Sequence, residues 1–411
     1  MKQFNKIISL TAFLFLLFIT LIFNTCAIAE KATAVEKFYS YDEKLLCISH
    51  RGDTASFPEN SIEGVKSALK KGADFVSVNL EKTSDGIFYL CEDESLGNIC
   101  NAPYETLSQM NSDEVDNYIL YDVYGKETKC KMTSLEKLLK ETDSRDALIL
   151  DIKPEYKDDV YATLKANDAL YRVIIRVNES AKKLSSWAEG KDEKVYVIGK
   201  YTGNIIFSTI SYMNSLTFSE MPAVQYESKN YFNVAFGEFF TNRYNLQENA
   251  RAVAASYSPD LCGQRGDNSD AWNELIGKNY SVIETNNIES FLNYRQECKR
   301  LEKSIAQLVE RAFNIDAAKY SEVSISNLNK ARLNGEILTS GVVFSLGEAE
   351  KCYSQLLFAL EDMKISTGEV DTRGALNITA GKVIATVLVG AALLAGQIYV
   401  YKMRSSKKVK Q

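Results

Sequence analysis

The sequence predicts a (β/α)8 barrel, the TIM-barrel architecture, followed by a small α-helical bundle and one transmembrane helix. Two observations predict the barrel. Eight short apolar runs lie between residues 45 and 285, and helical patterns separate several of them. Alternation of strands and helices is typical of parallel strands, and eight such units in about 250 residues match the size of a barrel.

The eight predicted strands are rich in β-branched and aromatic residues. They are LLCIS (45–49), FVSVNL (75–80), ALILDI (147–152), RVIIRV (172–177), KVYVIG (194–199), AVQYES (223–228), AVAASY (252–257) and YSVIET (280–285). Helical patterns occupy residues 61–72, 132–142 and 271–279. Because barrel sites lie at the carboxyl ends of the strands, residues at the end of these runs are the first candidates for function.

The amino-terminal segment predicts export from the cytoplasm. Residues 7–23 are almost wholly apolar behind Lys2 and Lys6, and AIAE at 27–30 has the small-x-small pattern of a cleavage site. These features indicate a signal peptide over residues 1–29. An uncleaved signal anchor is the alternative, since the apolar run is long for a signal peptide.

The carboxyl-terminal segment predicts a membrane anchor. Residues 383–401 contain no charged side chain, and a bilayer-spanning helix needs about 20 apolar residues. The tail at 402–411 is basic, so the positive-inside rule places it in the cytoplasm. We therefore expect a single-pass protein of the cell membrane with the bulk of the chain outside the cytoplasm.

Charge and cysteine content narrow the possible partners. The net charge of −6 includes the basic tail, so the outer part is more acidic still and nucleic acid is not an expected partner. The cysteines are irregularly spaced and do not form a disulfide framework. Cys47 and Cys91 are predicted to be buried as small apolar residues. Cys100 and Cys130 flank a polar insertion, and their pairing stays open.

Six short motifs inside the predicted barrel, residues 42–296, point to one family. His50, the only histidine of the chain, begins the motif HRG directly after the first strand. The motifs in chain order are HRG (50–52), PENS (58–61), GAD (72–74), TSDG (83–86), EDESL (92–96) and DIK (151–153). In order and spacing they resemble the glycerophosphodiester phosphodiesterase family. That resemblance implies a TIM barrel that uses a divalent cation, Mg²⁺ or Ca²⁺, and two histidines to hydrolyse glycerophosphodiesters.

The resemblance implies a role for each matching residue. His50 matches the first catalytic imidazole and Arg51 the phosphate-binding guanidinium. Glu59 matches the acid of the family's PEN motif and is a candidate metal ligand, Asp151 matches a metal-binding carboxylate and Lys153 a substrate-binding lysine. A phosphodiester is negatively charged, so its hydrolysis depends on a cation that neutralises it and on a base and an acid.

The sequence also departs from the family pattern at the chemical groups. Ser77 and Asn79 replace two metal carboxylates, and Glu92 replaces the second histidine. Loss of two negative ligands weakens a hard cation site, because ligand charge tunes its affinity. Glu81 lies on the same side of the predicted strand and is a candidate replacement ligand, although a solvated charge is the alternative. Glu92 is a candidate general acid.

Two functions follow from this pattern. The first is a membrane-anchored phosphodiesterase-family protein with weak or lost catalysis, which depends on Mg²⁺ or Ca²⁺ if it is active and on no cofactor if it is not. The alternative is a non-catalytic surface protein that binds a glycerophosphoryl or sugar-phosphate ligand, or a cell-wall partner. His50 and Arg51 belong to the site in both cases.

Residues 297–365 have a different pattern from the barrel. Apolar residues recur there at spacings of three and four, which predicts amphipathic helices. The pattern resembles the FIVAR-type helical modules of Gram-positive surface proteins, and a plain helical spacer is the alternative. A polar, glycine-containing linker is predicted at 366–382.

Overall fold

The computed structural model describes residues 38, 43–92, 95–103, 106–203, 223–228, 251–255, 266–340 and 343–364. The predicted signal segment (1–29), linker (366–382), transmembrane helix (383–401) and tail (402–411) lie outside the described residues. None of the helices within the described ranges combines the length and the apolar character that a membrane crossing requires.

The described strands number eleven, and eight of them overlap the eight predicted runs. In chain order they are β1 (Leu46–His50), β2 (Phe75–Lys82), β3 (Phe88–Leu90), β4 (Ile119–Tyr121), β5 (Glu127–Lys131), β6 (Leu148–Ile152), β7 (Val173–Val177), β8 (Tyr196–Gly203), β9 (Ala223–Ser228), β10 (Arg251–Ala255) and β11 (Val282–Thr285). Parallel pairing runs through β1, β2, β6, β7, β8, β9, β10 and β11 and returns to β1. The prediction of a parallel barrel is thereby confirmed.

The described α-helices alternate with the strands and then form a bundle. They are α1 (Ile62–Lys71), α2 (Ser112–Val115), α3 (Leu135–Glu141), α4 (Lys157–Ala166), α5 (Ala181–Glu189), α6 (Ser269–Gly277), α7 (Ile288–Phe313), α8 (Glu322–Thr339) and α9 (Leu346–Glu361). Helix α1 begins after Ser61, whose hydroxyl caps the Gly64 N–H, and ends at Gly72 with φ 104°. The predicted helices at 61–72, 132–142 and 271–279 correspond to α1, α3 and α6.

Side chains fill the barrel in layers. The lower layer is apolar and is formed by inward-facing residues of seven strands: Leu46, Ile48, Phe75, Ile149, Ile174, Ile198, Val253 and Val282. Phe38 covers it from below, and Arg251 donates to the carbonyls of Phe38 and Glu43 at 3.1 and 2.6 Å. Because side chains alternate with a period of two, the next inward residues form the layer above, and several of these are polar.

Residues 83–134 form an insertion between β2 and α3, which includes the polar insertion noted between Cys100 and Cys130 but whose strands were not predicted. It contains β3, which pairs with β2 antiparallel, and the hairpin of β4 and β5. Its own apolar cluster includes Cys100 and Cys130, which are buried and not disulfide-bonded. The possible pairing of these two cysteines is therefore not observed. Cys47 and Cys91 are buried, as predicted.

A helical bundle follows the barrel, as predicted. Helix α7 runs without a break through residues 296–297, where the sequence placed the boundary between barrel and helical module. Gly335 of α8 lies where a Cβ atom would be 2.6 Å from Val309 of α7 and 2.8 Å from Leu356 of α9. The three helices therefore pack together at a position where only glycine leaves room for Val309 and Leu356.

Residues 316–325 and 363–364 belong to a second compact unit. Within it the Ser321 N–H donates to the Lys364 carbonyl at 3.0 Å, and the Lys364 N–H donates to Ser324 Oγ at 3.2 Å. The resemblance to FIVAR-type modules stays a prediction.

Candidate functional site

The sequence-predicted site residues lie at one mouth of the barrel. His50 is the last residue of β1, and Asp151 is the last but one of β6. Ser77, Asn79 and Glu81 succeed one another at every second position of β2. Since all eight barrel strands are parallel, their carboxyl ends meet at the same mouth. The structure therefore brings these positions together, while their roles stay predictions.

His50 is a buried neutral imidazole. Its Nδ1 lies 2.9 Å from the amide oxygen of Asn286, directly after β11. An amide oxygen only accepts, so Nδ1 bears the proton and Nε2 has the lone pair. Burial, together with the nearby Arg51 charge, lowers the pKa of His50 to about 4 although Glu284 opposes the shift. The imidazole therefore has the protonation state of a general base at neutral pH.

Arg51 is neutralised by two of the other predicted site residues. Its φ of 58° turns the chain sharply after β1. The guanidinium lies 2.9 Å from Glu59 and also forms an ion pair with Glu92. The side chain of Glu92 is 46% exposed. It is thus half-exposed and ion-paired rather than held in the apolar surroundings that the general-acid hypothesis requires.

Glu81 and Lys153 neutralise each other at the mouth. Glu81 is 6% exposed, and its Oε1 lies 2.9 Å from the Lys153 ammonium. Its other oxygen accepts from the Tyr156 hydroxyl at 3.2 Å. The carboxylate is therefore buried and paired, in contrast to the solvated charge considered as the alternative.

Arg176, which the sequence did not single out, occupies the polar layer of the barrel. It lies on β7 with a fully buried side chain. Its Nε donates to Asp151 at 2.7 Å, and Nη2 also donates to that carboxylate. Nη1 donates to Gln225 at 2.5 Å, and each Nη donates to Glu284 at 2.8 Å. Five N–H donors thus make five hydrogen bonds, which uses the full capacity of a guanidinium.

Neighbouring polar groups complete this network. Ser77 donates to Glu284 at 2.5 Å, and the Gln225 amide donates to the same carboxylate at 3.1 Å. Burial alone would lower the pKa of Arg176, but the charges of Asp151 and Glu284 outweigh it and raise that pKa. Asn79 lies outside the network, and its backbone N–H donates to the Asn60 side chain at 3.1 Å.

The arrangement does not fit a divalent cation. The three predicted ligands are each held by a cation of the chain: Asp151 by Arg176, Glu59 by Arg51 and Glu81 by Lys153. In the described part of the chain, no group of three or more His, Cys, Asp or Glu side chains is placed to hold a metal ion. Metal binding would require at least one of these ion pairs to break.

Three residues of the network carry a sequence signal that is visible in retrospect. Arg176 and Glu284 are charged residues inside the apolar runs RVIIRV and YSVIET. Each lies two positions after an inward apolar residue, so strand periodicity alone directs its side chain into the barrel. Gln225 is a polar residue inside the run AVQYES on β9. Asn286 carries no such signal, because it belongs to the loop after β11.

A parallel eight-stranded barrel with an imidazole, two arginines and several carboxylates at its carboxyl-end mouth has the architecture of a TIM barrel, whose functional sites form at that mouth. The glycerophosphoryl diester phosphodiesterase family matches residues 50–199, which run from the last residue of β1 into β8 and leave β9, β10 and β11 outside the match. This segment is a domain of the glycerophosphoryl diester phosphodiesterase family.

Similar proteins share short segments with this chain. Over 110 residues it is 26% identical to glycerophosphodiester phosphodiesterase 1 of Rattus norvegicus, covering 22% of this chain and 33% of the relative. Over 58 residues it is 38% identical to the glycerophosphodiester phosphodiesterase of Caldanaerobacter subterraneus subsp. tengcongensis, covering 14% of this chain and 24% of the relative. The chain thus spans a third or less of the length of these two curated relatives.

Solved structures of the same description were also found. The crystal structure of a glycerophosphoryl diester phosphodiesterase from Parabacteroides distasonis matches with a TM-score of 0.49 at 17% sequence identity. The match covers 62% of this chain and 90% of that one.

Proposed function

We propose that this protein is a membrane-anchored, extracytoplasmic member of its family in which phosphodiester hydrolysis is lost or much reduced. The apolar segments at both ends and the basic tail support the anchoring and the orientation. The observation on which the loss of hydrolysis depends is the ion pair of Arg176 with Asp151, the carboxylate that matches the family's metal ligand.

Hydrolysis of a phosphodiester requires positive charge that is available to the phosphate. At this mouth Arg51 is shared between Glu59 and Glu92, and Lys153 is bound to Glu81. The guanidinium of Arg176 has no N–H donor left for a phosphate oxygen. His50 retains the form of a base, but a base without charge neutralisation supplies only part of the rate enhancement.

We expect the full chain in detergent to hydrolyse glycerophosphocholine and glycerophosphoethanolamine no faster than buffer. The reason is that Asp151 and Glu284 are already neutralised from within the barrel. Release of glycerol 3-phosphate would be measured with Mg²⁺, with Ca²⁺ and with a chelator. Turnover that disappears both with the chelator and in His50→Ala would contradict the proposal.

The alternative function, non-catalytic binding of a glycerophosphoryl or sugar-phosphate ligand, is favoured by one observation. Among the described residues, Arg51 Nε is buried without a hydrogen-bond partner. A buried donor without an acceptor costs about 1–3 kcal/mol, and a phosphate oxygen is an acceptor of suitable charge.

This second function predicts that glycerol 3-phosphate binds weakly to the unmodified chain. In the Arg51→Lys variant its affinity should fall about tenfold or more. Lysine retains the positive charge but lacks the Nε donor. Calorimetry on the full chain would measure it, and Lys140→Ala, which removes an exposed lysine of α3, is the control. Equal binding by the Arg51→Lys variant would refute this alternative.

A further inference from the structure

We infer that the guanidinium of Arg176 is a resident cation that takes the place of a divalent metal in this barrel. The inference deepens the proposed function, since both hold that no metal neutralises the mouth. The proposed function concerns the loss of hydrolysis, whereas here the neutralising charge is assigned to one residue of the chain, Arg176.

The position of the guanidinium is the first argument. It lies in the layer directly above the apolar filling of the barrel, because Arg176 follows Ile174 by one strand period. Asp151 is its neighbour in the register of β6 and β7. Glu284 reaches it from β11 and Gln225 from β9. One cation therefore joins four strands of the barrel.

The chemistry of the surrounding atoms is the second argument. The atoms that accept from Arg176 are the four carboxylate oxygens of Asp151 and Glu284 and the amide oxygen of Gln225. Ser77 adds a hydroxyl within 2.5 Å of Glu284. All are oxygen ligands, the type that Ca²⁺ and Mg²⁺ prefer, and an ordinary Ca²⁺ site uses six to eight of them.

The charge balance is the third argument. Without the guanidinium, the carboxylates of Asp151 and Glu284, 10% and 0% exposed, would lie together in the barrel, and neither the described neutral groups nor a neutral His50 would compensate their charge. A buried carboxylate is stable in its charged form beside a cation or several hydrogen-bond donors, and here Ser77 and Gln225 give Glu284 only one neutral hydrogen bond each. The arginine therefore supplies inside the barrel what a metal ion would otherwise supply from solution.

The test compares cation binding by the unmodified chain and by Arg176→Ala. We expect the melting temperature of the unmodified chain to be the same with Ca²⁺, Mg²⁺, Mn²⁺ or a chelator. Arg176→Ala should melt lower in the chelator. It should gain at least about 5 °C when one of these ions reaches 100-fold its dissociation constant. Calorimetry on Arg176→Ala should show one cation site. This site should be absent from the double variant that combines Arg176→Ala with Glu284→Gln.

Arg172→Ala is the matched control. Arg172 is also buried, directly before β7, but it donates to Thr142 and to the carbonyls of Leu139 and Asp143 rather than to carboxylates. Its loss should lower the melting temperature without creating a cation-dependent gain. A gain of equal size in this control would overturn the inference.

Two further results would overturn it. One is a divalent ion that binds the unmodified chain at a site lost in Asp151→Asn. The other is a folded Arg176→Ala that binds none of the three ions. If Arg176→Ala folds only with a divalent ion present, the inference is supported. If it folds under no condition, Arg176→Gln replaces it with the same expected outcomes. These readouts are independent of turnover, so they separate this inference from the loss of hydrolysis.

Discussion

Replacing Gly52 by alanine is expected to lower the free energy of unfolding by about 3 kcal/mol or more. Gly52 ends the motif HRG and has a φ of 92°, a conformation that side chains other than glycine's rarely adopt. A Cβ atom there would also lie 2.7 Å from the Gly64 carbonyl carbon and 2.9 Å from the Val65 nitrogen. Both contacts are to the backbone of α1, which cannot move aside as a side-chain end can.

Gly86→Ala separates the two causes. Gly86 has nearly the same φ, 90°, but a Cβ atom there would meet nothing within 4 Å. Its replacement should cost only the backbone term of about 1–2 kcal/mol. The difference between the two variants in urea unfolding measures the close approach of Gly52 to α1. Equal losses would show that this approach does not constrain the loop that bears Arg51.

The fold was predictable because the strands that form it are local signals. The eight barrel runs are short and rich in β-branched or aromatic residues, so each is recognisable without its partners. The strands within the insertion at 83–134 were not predicted, because β3 and β4 are only three residues long. Such short segments form only against tertiary neighbours.

The position of the site residues was predictable from the sequence, but the ion pairs between them were not. Motif order placed His50, Asp151 and Lys153 at one mouth, and the structure places them there. The ion pair of Asp151 with Arg176 joins residues 25 positions apart, and it depends on the register of two strands. No local pattern specifies that register. The sequence therefore showed which groups were missing, while the structure shows which group neutralises those that remain.

The buried state of His50 should make stability depend on pH between about 4 and 6.5. In the unfolded chain an imidazole has a pKa of about 6.5, while burial and Arg51 lower the pKa of His50 to about 4 in the folded protein. Between these values the unfolded chain binds a proton that the folded chain does not. The contribution of the neutral His50 to the free energy of unfolding is therefore complete above pH 6.5 and is lost as the pH falls toward 4. The difference between the folded and the unfolded pKa of His50 corresponds to about 3 kcal/mol in the free energy of unfolding.

This effect is measurable because His50 is the only histidine of the chain. A single imidazole resonance should titrate in the NMR spectrum with a pKa near 4, and urea unfolding should show stability falling from pH 6.5 downward. His50→Gln should remove the part of this fall that the imidazole causes, most clearly above about pH 5.5, because glutamine does not titrate. Glu284 affects stability at lower pH. Burial alone would raise the pKa of Glu284, but the charge of Arg176 outweighs burial and lowers it. The contribution of Glu284 to stability is therefore complete above the ordinary carboxyl pKa and is lost as the pH falls below it. A resonance that titrates near pH 6.5, with unfolding curves that match those of His50→Gln, would mean that the imidazole is solvated and that the mouth is open to water at this position.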